Sequence, residues 1–280
     1  STVKRAFPRP TGVCSEPPRA LQTTWEGFPG PRQQVIDVEV KIQPETELET
    51  TIDSFDSVVM TGFIPEPHDI FSYSVTGIAF VDNAHIHKEA YKPLYRFNSA
   101  LTIPGPNVEA MIAVCRERLA ALPSDATPVQ QAAEVMDEVY KAFVYTPGST
   151  TIRTTAEQAL AQRKGVCQDY AHVMLSVCRH VGLTARYIAG LLGGEGATHA
   201  WVEVYQDGRW VGLDPTHNRL VDDSYITIAH GRDYRDCMLD IGIFSGYNVQ
   251  QSQWVNASVD RKSTRLNSSH TDISRMPSSA

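Results

Sequence analysis

One cysteine of this sequence lies where a thiol could act as a nucleophile. Cys167 stands in the segment GVCQDYAHVM, at the start of a stretch with the apolar spacing of a helix. The free N–H groups and the positive dipole end of a helix's first turn favour an anion, and they also stabilise an oxyanion on an attacked carbonyl. Gly165, two residues earlier, allows the chain to turn sharply into the helix. The alternative is a buried structural cysteine, which is common for free thiols.

A nucleophilic thiol needs a base, and the base needs a group that orients it. The strand-like segments HAWVEVYQ and RWVGLD flank Asp207-Gly208, which is a strong hairpin-turn signal. In the register that this turn predicts, His199 and Asp214 fall within two residues of direct opposition, so their side chains can meet on one face. This predicted pairing favours a catalytic Cys167, with His199 as base and Asp214 as its orienting group.

The elements that must position these residues follow from the period of the apolar pattern. Segments such as VIDVEVKI and FSYSVTGIAFVD alternate with the period of strands, whereas the segments near residues 107–122, 129–143, 155–163 and 168–181 have helical spacing. Strands return after the last helix, and this order predicts an α+β fold. The predicted parts are an irregular, proline-rich N-terminal segment (1–31), an antiparallel β domain (32–100), a second domain with the triad (101–260) and a disordered tail, not clearly native (261–280).

Composition narrows the class of protein. An apolar share of 42% with 20% charged residues is ordinary for a globular protein, and a net charge of −7 does not favour nucleic acid or anionic membranes as partners. The opening residues lack the apolar run of a signal peptide, and no run is long enough for a membrane span. Five scattered cysteines argue against a disulfide framework. We therefore expect a cytoplasmic protein.

The order of Cys in GVCQDYAH, His in THAWVEVY and Asp in LDPTHN resembles the transglutaminase-like superfamily. More narrowly, residues 32–258 resemble a bacterial group assigned as candidate cysteine proteases, through segments that include TTAEQALAQRKGVCQDYAHVML and IAHGRDYRDC. The resemblance implies a papain-like core of helices packed on an antiparallel sheet, preceded by a small all-β domain. It also implies that Cys167 attacks an amide carbonyl and forms a thioester. The opening strand of that group's β domain is not recognisable in residues 1–31.

The sequence leaves the roles of three further residues near the Cys, His and Asp motif open. Gln168 could stabilise the oxyanion through its backbone N–H, and the resemblance makes Tyr145 a side-chain donor there. His217 could line the cleft or face solvent.

We interpret Asp169 as structural: it could cap backbone donors, but we favour a pairing with Arg186. His85 and His87 share a strand face, yet no third metal ligand accompanies them, so we expect exposed histidines, no metal and no cofactor.

Three functions remain open from the sequence. The favoured one is a peptidase or amidase that acts on a peptide or protein substrate through a Cys167 thioester. The second is a transferase that passes the acyl group to an amine, and the third is a peptide-binding domain that does not use its triad. The sequence leaves the substrate and the oligomeric state undetermined.

Overall fold

A computed structural model describes residues 2–6, 19–26, 33–66, 68, 70–82, 88–196, 198–243 and 254–259. The helices are α1 (Pro106–Ala120), α2 (Pro128–Ala142), α3 (Ala156–Gln162) and α4 (Cys167–His180). The strands before them are β1 (Thr2–Ala6), β2 (Arg19–Glu26), β3 (Gln33–Gln43), β4 (Leu48–Ile52), β5 (Val58–Gly62) and β6 (Ser72–Val81). Among the helices lie β7 (Val144–Tyr145) and β8 (Lys164–Gly165). The later strands are β9 (Ala185–Leu192), β10 (Gly194–Gly196), β11 (His199–Gln206), β12 (Arg209–Asp214), β13 (Arg219–Leu220), β14 (Tyr225–Gly231), β15 (Asp240–Ile243) and β16 (Trp254–Val259).

The helix boundaries follow local signals in the sequence. Helices α2 and α3 each begin with a capping box, formed by a threonine and a glutamine three residues later. Helix α4 ends before Gly182, whose φ of 92° is a backbone conformation that glycine adopts without steric cost. The four predicted helices therefore agree with the observed ones to within about two residues, which is the usual scatter of helix ends.

The sheet that carries the triad has the order β13-β12-β11-β9-β14, and all its neighbouring strands are antiparallel. Val202 lies opposite Leu213 in the β11–β12 hairpin, which is the register that the Asp207-Gly208 turn predicts. Helix α4 packs on this sheet, and its residues Ala171, Met174 and Val177 are fully buried in the main core. The α+β fold with helices packed on an antiparallel sheet is thus confirmed.

Two further sheets, with the orders β10-β16-β1-β6-β3 and β15-β2-β5-β4, form the N-terminal β region. The interpretation of residues 1–31 as irregular is wrong for the segments 2–6 and 19–26, which are strands. The partners of β1 lie far away along the chain, since Thr2 is opposite both Thr76 and Ser258, and the local sequence does not encode this pairing.

The end of the described chain returns to the β region, because β15 pairs with β2 and β16 pairs with β1. The sequence alone predicts that residues 240–243 and 254–259 lie in the second domain, and their strand pairing instead joins them to the β region. His85, His87 and the tail at 261–280 lie outside the described residues. No described helix combines the length and apolar character needed to cross a bilayer.

A buried ion-pair network connects Glu89, which precedes α1, to strands β9 and β11 of the sheet that carries the triad. The guanidinium of Arg186 on β9 contacts the carboxylates of Glu203 at 2.7 Å and Glu89 at 3.0 Å, and it lies 4.3 Å from the ring centre of Trp210. The expected pairing of Arg186 with Asp169 is therefore wrong. Glu203 lies directly opposite Arg186 in the β9–β11 register, so the cross-strand carboxylate satisfies the guanidinium.

We expect Glu203→Gln to destabilise the fold by about 3 to 5 kcal/mol, because it leaves a buried guanidinium without a full counter-charge. Urea denaturation of the purified variant measures this change. Glu117→Gln, on the exposed surface of α1, is the matched control and should stay within about 0.5 kcal/mol of the parent protein. Equal stability of the two variants would contradict the assigned role of the network.

Candidate active site

Cys167 is the first residue of α4, so its sulfur lies at the positive end of that helix. The turn into the helix is fixed by Asp169, whose Oδ2 accepts hydrogen bonds from the backbone N–H of Val166 at 2.8 Å and from the Thr150 hydroxyl at 2.6 Å. A Cβ on Gly165 would lie 2.7 Å from the Cβ of Asp169. Gly165 is therefore required for space, and not for the unusual backbone conformation that we expected.

Asp169 caps the helix, which is the alternative that the sequence interpretation ranked second to a pairing with Arg186. It stands three residues after the N-cap residue Val166, the position from which a carboxylate reaches back to the N-cap N–H. Burial is the main influence on this carboxyl and raises its pKa, against the opposing effect of these hydrogen bonds. Asp169 thus holds the backbone that presents Cys167.

The β11–β12 hairpin brings His199 and Asp214 together, as predicted. His199 Nε2 lies 2.7 Å from Asp214 Oδ2, and the two side chains are 10% and 0% exposed. The other carboxylate oxygen, Oδ1, accepts the backbone N–H groups of Thr216 at 2.9 Å and His217 at 3.3 Å. These bonds fix the carboxylate at the end of β12, so that it orients the imidazole.

Cys167 joins this pair through a side-chain hydrogen bond with His199. Because Nε2 is bonded to Asp214, the ring nitrogen left for the sulfur is Nδ1. Burial lowers the pKa of His199, but the hydrogen bonds to Asp214 and Cys167, with the charges of both, outweigh it and raise the pKa to about 9. Burial raises the pKa of Asp214, yet the hydrogen bonds from His199, His217 and Tyr225 hold it well below its usual range. The arrangement therefore favours a charged imidazole beside the Asp214 carboxylate.

Two more side chains contact Asp214 Oδ2. His217 Nδ1 and the Tyr225 hydroxyl each lie 2.7 Å from this oxygen. The His217 side chain is 45% exposed and is hydrogen-bonded to the Asp214 carboxylate. The sequence predicts only that it lines the cleft or faces solvent. Sequence reasoning missed Tyr225, because β14 is not a neighbour of β12 in the sheet and no local pattern signals the contact.

His199, Asp214 and His217 have the side-chain types of a metal site, and their ligand atoms lie within 4.8 Å of one another. Ligands around a tetrahedral zinc ion with bonds of about 2.05 Å are separated by about 3.3 Å. Each imidazole nitrogen is instead 2.7 Å from the same carboxylate oxygen, which is the distance of a charge-assisted hydrogen bond. The group is a hydrogen-bond network in this geometry.

The two predicted oxyanion residues lie beside Cys167. Gln168 follows it in the first turn of α4 and is half-buried. Tyr145 on β7 is opposite Gly165 on β8 and is 53% exposed. Burial, and to a lesser extent the charge of Cys167, raises the pKa of Tyr145, so its hydroxyl keeps the proton that a donor needs.

Comparison with known proteins finds similarity at the level of sequence family and fold. The sequence model of the transglutaminase-like superfamily matches residues 116–215, the segment that carries Cys167, His199 and Asp214. A crystal structure of a candidate cysteine protease from Cytophaga hutchinsonii has a TM-score of 0.70 and 21% identity, covering 94% of this chain and 93% of that one. At this identity the likeness defines the fold, which is the papain-like, transglutaminase-like one.

Mycobacterial proteins of uncharacterised function are also similar. One from Mycobacterium leprae is 29% identical over 243 residues, which is 77% of this chain and 82% of that protein. One from Mycobacterium tuberculosis is 39% identical over 143 residues, which is 45% of each chain. The match thus spans less than half of the length of the second relative.

Cys167 should be the first of the four described cysteines to react with iodoacetamide. Burial raises the pKa of Cys115 to about 12 and raises those of Cys178 and Cys237 as well, so these thiols stay protonated and shielded. Peptide mapping by mass spectrometry after brief labelling of the folded protein measures the order. Faster labelling of any of the three buried cysteines would contradict this account of the site.

Proposed function

We propose that this protein cleaves amide bonds in peptide or protein substrates through a thioester on Cys167. The observation that carries the proposal is the hydrogen-bonded series of Cys167, His199 and Asp214 at the start of α4. In this series a thiol is hydrogen-bonded to a base, and a buried carboxylate is hydrogen-bonded to the other side of that base. Nucleophilic catalysis by a thiol requires this arrangement.

The proposed reaction has two halves. The Cys167 sulfur attacks the amide carbonyl carbon, and the resulting tetrahedral intermediate expels the amine, which takes a proton from the charged His199. A thioester and a neutral imidazole remain. His199 then takes a proton from water as the water attacks the thioester, and the carboxylic acid leaves as Cys167 returns to its starting form. Asp214 keeps its negative charge throughout and stabilises His199 whenever the ring is charged.

The tetrahedral intermediate carries a negative oxygen that needs donors. The backbone N–H groups in the first turn of α4 supply one set, since Cys167 and Gln168 have no earlier helical turn to bond with. The Tyr145 hydroxyl is the proposed side-chain donor, because β7 is tied to the two residues that precede the Cys167 turn.

The same thioester could instead pass its acyl group to an amine. The name of the matched superfamily favours this second candidate, and the triad serves both reactions because they differ only in the acceptor. The third candidate is a peptide-binding domain, and peptide binding alone does not require the hydrogen bonds that Cys167 and His199 make. A cytoplasmic location, and the absence of nucleic-acid and membrane partners, stay predictions.

The test offers the protein a library of glutamine-containing peptides, with and without a primary amine, and identifies the products by mass spectrometry. We expect shortened peptides or free acids in both conditions, with a loss of at least about a hundredfold in Cys167→Ala, because the thioester cannot form. Circular dichroism of the variant checks that it is folded.

The other outcomes separate the candidates. Products joined to the amine, with little free acid, would replace hydrolysis by acyl transfer. Turnover that Cys167→Ala retains in full would overturn the role of the thiol. Peptides that bind but stay intact would favour the third candidate.

A further inference from the structure

We propose that Tyr225 and Arg219 are positioning residues of the triad: through a directed chain of hydrogen bonds they set how strongly Asp214 binds His199. This inference rests on the proposed function, since it concerns the base of that reaction. It goes beyond the three triad residues, because neither Tyr225 nor Arg219 belongs to the motif that the sequence presents.

The direction of the chain follows from the donors available. Arg219 Nε lies 2.9 Å from the Tyr225 hydroxyl oxygen, and that oxygen lies 2.7 Å from Asp214 Oδ2. A guanidinium only donates, so the phenolic oxygen must accept from Arg219. The single hydroxyl proton of Tyr225 is then free to point at the carboxylate. Arg219 therefore fixes the direction in which Tyr225 donates.

The surrounding elements hold this chain in place. Arg219 on β13 is the register partner of Asp214 on β12, so its side chain begins beside the carboxylate. The Tyr225 side chain is buried, and its ring packs edge-to-face on Trp201 with ring centres 5.3 Å apart. Gly190 makes room for that packing, because a Cβ at this position would collide with the Trp201 ring. The hydroxyl is thus held by packing as well as by hydrogen bonds.

The hydrogen bond from Tyr225 acts on Oδ2 of Asp214, an oxygen that three side chains contact. His199, His217 and Tyr225 each contact this oxygen at 2.7 Å. A neutral donor disperses the charge of a carboxylate, so the hydrogen bond from Tyr225 weakens the attraction that Asp214 exerts on the charged imidazole. The positive charge of Arg219 acts in the same direction.

These contacts keep the base from being held too tightly to release its proton. Burial and the charge of Asp214 raise the pKa of Tyr225, so its hydroxyl remains a donor. Among the described residues, the other charged and titratable groups that act on His199 and Asp214 are Cys167, His217 and Arg219. The carboxylate of Asp222 lies 3.9 Å from the guanidinium of Arg219.

The test measures the rate of Cys167 alkylation by iodoacetamide against pH, which needs no substrate. The upper transition of this profile reports the loss of the imidazole proton beside the sulfur. In Tyr225→Phe the ring stays and the donor is lost. We therefore expect the transition to move to higher pH by about 0.5 to 1 unit, which corresponds to the free energy of about one hydrogen bond. Arg219→Met should move it in the same direction by a smaller amount.

Two matched controls test whether the shift is specific. Tyr205→Phe removes a hydroxyl that donates to the Glu89 backbone carbonyl, and Arg235→Met removes an exposed guanidinium. Both should leave the transition where it is in the parent protein. Thermal unfolding establishes that each variant is folded. If Tyr225→Phe does not fold, Arg219→Met tests the proposal instead, because the Arg219 side chain is 44% exposed.

An unchanged or lowered transition in folded Tyr225→Phe would overturn the proposal, as would a parent profile without an upper transition. A shift in Tyr225→Phe alone would overturn the part assigned to Arg219. Failure of the proposed function is a separate result: the alkylation profile would keep its shifts while no amide substrate was cleaved.

Discussion

The candidate active site depends on one interaction, the hydrogen bond between the imidazole of His199 and the carboxylate of Asp214. A carboxylate that is fully shielded from water is costly unless donors surround it. The described part of the chain supplies Asp214 with five: three side chains on Oδ2 and two backbone N–H groups on Oδ1. This set of donors keeps a negative charge in a buried place, and the charge in turn keeps His199 protonated and directed at Cys167.

The rest of the fold brings these groups together from separate parts of the chain. The β11–β12 hairpin places the imidazole beside the carboxylate, and the start of α4 brings the sulfur to the ring. Asp169 fixes that helix start, and the ion pair of Arg186 with Glu203 fixes strand β11 to β9 below His199. Each support is buried, so the spacing of the triad is set by packing as well as by its own hydrogen bonds.

The sequence predicts what depends on nearby residues. The hairpin register follows from two turn residues, and the helices follow from caps and apolar spacing, so the meeting of His199 with Asp214 could be derived in advance. The strands at 2–6 and 19–26 could not, because their partners are distant in the chain. The partner of Asp169 was misassigned for a related reason: Arg186 is satisfied by a carboxylate across the sheet. Tyr225 reaches Asp214 only through the tertiary fold.

The most direct test of this account is the titration of the His199 side chain by nitrogen-15 NMR. Its pKa is raised to about 9, above the ordinary value of 6.5, so the ring should stay charged at neutral pH and lose its proton only as the pH rises through about 9. Replacement of Asp214 by asparagine should bring the transition down, because the charge that holds the proton is removed. A His199 ring that titrates near 6.5 in the parent protein would contradict the central claim that Asp214 and Cys167 together hold a charged imidazole.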